Sequence, residues 1–184
     1  MSDTIAQWHA QHTHFARLLD VLEQQVAAFH ADDGPNYQLM LDVVSYLRYF
    51  PDRYHHPRED VAFARLAGRD PELKPLIDRL LHEHRVIVAS GSELLKYLEQ
   101  VVEDVMVERA AVEAAAATYL LYYRSHLVLE DRDIVPRAEQ LLTPQDWEAV
   151  MAAVPAGPDP LFGADFEPRY RELRRQIALA APGI

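Results

Sequence analysis

The sequence predicts an all-α protein, an up-down-up-down antiparallel four-helix bundle with a short helical C-terminal extension. Three observations predict it. Apolar residues recur at three- and four-residue spacing over long stretches, the signature of amphipathic helices. Strand signals are weak, with four threonines and no Asn-Gly or Asp-Gly hairpin turn between alternating apolar runs; the one Asp-Gly, Asp33-Gly34, is followed by proline. Glycine and proline collect at a few places that divide the chain into long segments.

Ile5, Trp8, Phe15, Leu18, Leu22 and Val26 mark a first helix over about 4–30, stopped at Asp32-Asp33-Gly34-Pro35. A second helix runs from about Asn36 to Ala67. It contains Pro51 and Pro57, each of which removes a backbone hydrogen bond, so a kink or break is expected near one of them. Gly68 ends it, Asp70 caps the next helix, and Pro71 takes the first helical position. From Ser92 to Val135 there is neither Gly nor Pro, so composition hides the boundary between the third and fourth helices. Residues 1–140 form the expected bundle and 141–184 the extension. Thr143 caps a helix with Pro144 at its first position, and a later short helix carries Tyr170, Leu173 and Ile177 on one face.

Composition excludes several functions. With 184 residues the chain can bury a full core without covalent staples. Cysteine is absent, which removes disulfides, iron–sulfur clusters, thiolate zinc sites and cysteine nucleophiles. A net charge of −11 disfavours nucleic acid and anionic membrane surfaces, and no run of 18 apolar residues exists. Without an export signal at the N-terminus, the expected location is the cytoplasm.

The nine histidines are unusual, and several fall into a repeat. His14 and His84 are 70 residues apart, His55 and His126 are 71 apart, and so are Glu59 and Glu130. In an up-down bundle, facing residues lie equally far from the turn that joins their helices. The midpoint of His14 and His55 falls between Gly34 and Pro35, and that of the 55/59 pair with His84 falls between Asp70 and Pro71. The same rule places the hidden third turn near Asp104-Val105. All six residues can therefore share one level, ~20 residues (roughly 30 Å) from the first turn and ~13 residues (about 20 Å) from the second.

His55 and Glu59 are four apart and stack on one helical face, as do His126 and Glu130. Four imidazoles and two carboxylates buried without compensation would be very costly. A metal removes the cost, because neutral imidazole and ionised carboxylate are both good ligands. Six such side chains overfill one ion, whereas bridging carboxylates serve two and leave open positions for a small ligand. Nitrogen and oxygen donors with open sites favour iron, with manganese or zinc as alternatives. Without metal, at least one of the two carboxylates is expected to take up a proton. His9, His12, His30, His56 and His82 are expected on outer or flanking faces. His56 points about 100° away from His55 on a regular helix. Gly91 either opens a pocket beside the site or is merely tolerated, and one of Tyr119, Tyr122 and Tyr123 is a candidate donor to a metal-bound ligand.

His14 before Phe15-Ala16-Arg17-Leu18-Leu19, the string His55-His56-Pro57-Arg58-Glu59-Asp60, Glu83-His84, and His126 with Glu130 resemble the hemerythrin-like, or HHE cation-binding, family over about residues 8–140. The resemblance implies a non-haem di-iron centre: His14 and His55 on one iron, His84 and His126 on the other, Glu59 and Glu130 bridging. The chain departs from the blood oxygen carriers at Leu80, where they have a histidine, and in placing a carboxylate four residues after His126 rather than five, at Asp131. It is more similar to bacterial members implicated in sensing or iron–sulfur repair. The implied function is a response to O2, NO, peroxide or iron, with a di-iron oxidoreductase or an iron-donating repair protein as the alternative. The repair proteins often carry an N-terminal cysteine-bearing segment, and this chain has no cysteine.

Overall fold

A computed structural model describes residues 2–163 and 167–180. Among them there are helices and turns and no strands. The helices are α1 (Ser2–His30), α2 (Tyr37–Phe50), α3 (His56–Arg69), α4 (Lys74–Val102), α5 (Arg109–Leu129), α6 (Val135–Leu141), α7 (Pro144–Ala153) and α8 (Arg171–Ala180). Short polar turns join the long pieces. Asp32 and Gly34 adopt positive φ after α1, Asn36 Oδ1 accepts from Leu39 N–H at the start of α2, and Asp104 adopts positive φ between α4 and α5. Asp104 thus closes the turn that no glycine or proline announces; aspartate tolerates this left-handed geometry because its short side chain bonds locally.

α2 and α3 form one rod, joined by a π-helical turn over Pro51–His55, and α5 and α6 form another, joined by a π turn over Glu130–Ile134. Each π turn ends two residues before a proline, Pro57 or Pro136. The cause is local. Proline has no N–H and its ring collides with the carbonyl four residues back. A wider turn relieves this: the N–H of His56 reaches Pro51 O and that of Val135 reaches Glu130 O, five residues back in both cases. The extra residue rotates everything beyond it relative to a regular helix.

The apolar core has two parts. The larger contains Phe15, Leu18, Leu22, Leu47, Ile87, Leu94 and Tyr119. The smaller, toward the Asp70 turn, contains Trp8, Phe63, Leu66, Leu80, Ile134 and Trp147. Between them lies a buried polar layer. The residues after 141 seal its surroundings. Trp147 of α7 meets Trp8 edge-on at 5.4 Å, Asp146 pairs with Arg65 and Arg69 of α3, and Arg58 Nε donates to Val154 O. Tyr170, in the turn just before α8, and Leu173 and Ile177 of α8 join the larger core, and α8 packs against α1 and α2. No helix among the described residues is long and apolar enough to cross a membrane.

Candidate metal centre

The polar layer brings together His12 from α1, His55, His56 and Glu59 from the α2–α3 rod, His84 from α4, and His126 and Glu130 from the α5–α6 rod, all buried. His55, Glu59, His84, His126 and Glu130 are five of the six residues that the spacing argument singled out. His14 is not among them. It lies on the flank of α1, its ring stacked at 3.8 Å on Phe162. His12 occupies the place expected of it, and His56, expected on a flank, is also inside. The reason is angular. Two residues along a helix amount to about 200° of rotation, so His12 and His14 face opposite ways, while Phe15 and Leu19 on the His12 side enter the core.

The four histidines are built alike. His12 Nε2 lies 3.0 Å from His55 Nε2, and His84 Nε2 lies 3.1 Å from His126 Nε2. Their Nδ1 atoms turn outward. Those of His12 and His84 donate to Asp131 Oδ1 and Asp60 Oδ1, both at 2.7 Å. That of His55 donates to Gln11 Oε1 at 2.8 Å, and that of His126 faces Glu83 Oε2 at 3.5 Å. The carboxylates sit between the two pairs. Glu59 Oε1 is 2.5 Å from His55 Nε2 and 3.2 Å from His12 Nε2, while its Oε2 is 3.4 Å from His84 Nε2. Glu130 Oε2 is 3.3 Å from His126 Nε2 and 3.6 Å from His12 Nε2.

Glu59 is not the carboxylate that takes up a proton. Burial alone would raise the Glu59 pKa, but the imidazoles around it, first His55, then His12 and His84, hold it well below the usual range. The histidines take the proton instead. Burial pulls His12 and His84 down, yet Asp131 and Glu59 lift His12 well above its ordinary value, and Asp60 and Glu59 lift His84 to about 10. Desolvation lowers His55, and lowers His56 strongly.

Glu59 Oε2 and both oxygens of Glu130 are buried without a hydrogen-bond donor. Such groups are costly when nothing compensates them. Glu59 and the histidines around it form two donor sets that fit cations: His12, His55 and Glu59 in one, His56, Glu59, His84 and His126 in the other. Imidazole nitrogens with outward N–H groups held by carboxylates, beside ionised carboxylates, are the donor chemistry of a metal site.

The hemerythrin HHE cation-binding domain model matches residues 3–138. The chain belongs to this family. Comparisons with curated proteins and with solved structures gave no match. Within the matched stretch, the buried histidine- and glutamate-lined layer supplies donor sets that fit a cation.

Around the layer, Gly91 opens no pocket. A Cβ there would lie 2.7 Å from both Arg48 Cδ and Tyr119 Cε2, so its bare backbone is what lets those side chains approach α4. Tyr123 is fully buried with its ring 5.7 Å from His56, whereas Tyr122 lines an outer groove with Arg79 and His82. A surface cleft of about 270 Å³, lined by Asp52, His56, Pro57, Asp60, His84, Arg85 and Val88, reaches the layer from outside. The aspartates beside the histidines were missed as partners. Their place in the repeat, Asp60 after Glu59 and Asp131 after Glu130, is the signal that pointed to them.

Proposed function

We propose that this protein holds two iron ions as a carboxylate-bridged, non-haem di-iron centre in the cytoplasm and responds there to O2, NO or peroxide. His12 and His55 bind one ion, His84 and His126 the other, and Glu59 and Glu130 lie between. The proposal includes an up-down arrangement of the four long helices over residues 1–140, with 141–184 as an extension packed on it. The carrying observation is the convergence of four Nε2 atoms on two carboxylates, with each outward Nδ1 facing an oxygen.

When bound, the metal pair supplies Lewis acidity and one-electron chemistry toward a small ligand. The protein's own residues set the conditions. Asp131 and Asp60 fix the tautomer of His12 and His84, so the Nε2 lone pairs face inward. Trp8 and Phe15 wall off the His55 side, their rings 6.3 and 4.9 Å from its ring, and exclude water there. The cleft beside His56 and His84 is the route for a small molecule.

The test is metal analysis combined with optical spectra of anaerobically reduced and re-oxidised protein. Two irons per chain and a spectral response to O2 or NO without turnover support the sensing reading. Multiple turnovers of peroxide or NO would make the protein an oxidoreductase. A stable chain that takes up no metal overturns the proposal.

A further inference from the structure

α5 is apolar on more sides than the bundle uses. Its inward residues, among them Val112, Ala116, Tyr119 and Tyr123, are buried. On the opposite side Ala110, Ala114, Ala117, Leu121 and Val128 are all exposed. Their spacing keeps them on one line along the helix. Leu121 is 68% exposed and Val128 63%, the highest values for large apolar side chains within the described helices. A single apolar side chain in water is ordinary, but a continuous line of them marks a contact surface.

Two grooves flank this ridge. One of about 800 Å³ runs between α1 and α5, with Val26, Ala27, Leu120 and Leu129 among its lining. The other, about 380 Å³, lies between α4 and α5 beside Leu121 and Tyr122. The charged residues lining them are Arg79, Arg124 and Arg132 with Glu23 and Glu83. Cations thus outnumber anions here, on a chain whose net charge is −11. Two copies of so acidic a molecule repel least when they meet at such a face.

The ridge is also graded. Its N-terminal half is alanine, Leu121 is in the middle, and Val128 is toward the C-terminal end. Against a second α5 running antiparallel, with Leu121 on the two-fold axis, Val128 seven residues on faces Ala114 seven residues back. Large then meets small at both ends, as close packing requires. A parallel pair would set Val128 against Val128 and Ala114 against Ala114, crowded at one end and hollow at the other. The ridge and grooves span three helices, each about 10 Å wide, over about 25 Å, which is on the order of 800 Å² per partner and the size of a specific interface. We infer that the chain forms a two-fold dimer through α5, the two helices antiparallel and Leu121 meeting Leu121 at the axis. This stands apart from the metal-pair reading.

The experiment uses the full chain. Sedimentation equilibrium in the micromolar range should give twice the chain mass. Leu121→Glu sets two carboxylates together at the axis and should raise the dissociation constant at least ~10-fold, as loss of a central interface residue does. Circular dichroism checks that the variant is folded. Because the chain has no cysteine, single introduced cysteines give a positional readout. Under mild oxidation Leu121→Cys should join to itself, and Val128→Cys should join to Ala114→Cys when the two variants are mixed. A monomer at every concentration overturns the inference, whether the face then takes an anionic vesicle or a different protein. A dimer left intact in folded Leu121→Glu overturns it as well, and so does Val128→Cys joining to itself in preference to Ala114→Cys. If Leu121→Glu does not fold, the cross-links decide.

Discussion

Nδ1 of His12 lies 2.7 Å from Oδ1 of Asp131, a residue 119 positions further along the chain. His84 and Asp60 repeat the relationship at the same distance, 24 positions apart. Asp131 follows Glu130 and Asp60 follows Glu59, and each serves a histidine on a different helix. Both sit partly in solvent, at 39% and 47% side-chain exposure, so they hold their histidines from the rim of the buried layer. Asp131→Asn and Asp60→Asn should each weaken metal binding about 10–100-fold. Glu130→Ala should abolish the two-metal site. Chelator titration of the three proteins checks the order, and equal effects of Asp131→Asn and Glu130→Ala would contradict it.

His12 and His14 should separate cleanly by substitution. His12→Ala removes an inward donor and should leave no more than one tightly held metal per chain. His14→Ala removes only the stack on Phe162, should cost about 1 kcal/mol of stability, and should keep both metals. Metal content by mass spectrometry and denaturant unfolding give the two answers.

Metal binding should expel protons. In the metal-free protein His84 holds a pKa of about 10 and His12 is also raised, both against an ordinary 6.5. Their contribution to metal-free stability is complete below about pH 6.5 and fades as pH rises toward the folded values. Cations compete with those same protons, so the gain in melting temperature on loading should grow from pH 6.5 upward. Loading in weakly buffered solution near pH 7.5 should acidify the medium. No proton release would contradict the charged His12 and His84.

Gly91→Ala should destabilise the protein by ~1–3 kcal/mol, the usual cost of overpacking. The new methyl meets Tyr119, a fully buried ring with no room to retreat, as well as the more pliable Arg48 side chain. Metal content should stay at the wild-type value. A thermal melt that does not move would show that Tyr119 can relax.

Much of this was readable from the chain. Helical periodicity and the breaks at Asp32–Pro35 and Asp70–Pro71 marked the long helices, because glycine, proline and capping residues act on the backbone around them. The repeat pointed to a turn near Asp104 that has no compositional mark, and the structure puts a positive φ there. Residues four apart on one helix share a face wherever that helix packs, so His55 with Glu59 and His126 with Glu130 could be paired before any fold was known.

The choice between neighbouring histidines lay elsewhere. Counting residues from a turn gives the height of a side chain along a bundle, and that measure barely changes between His12 and His14. It says nothing of direction, which changes by about 200° over the same two residues. Direction depends on which flank of α1 meets the rest of the core, and that is a property of the packed helices. His56 escaped for a related reason. Regular α-helical geometry turns it away from His55, but the π turn ahead of Pro57 inserts one residue and resets the phase. Height is carried by the order of residues; the angle at which each side chain enters the core is set when the helices come together.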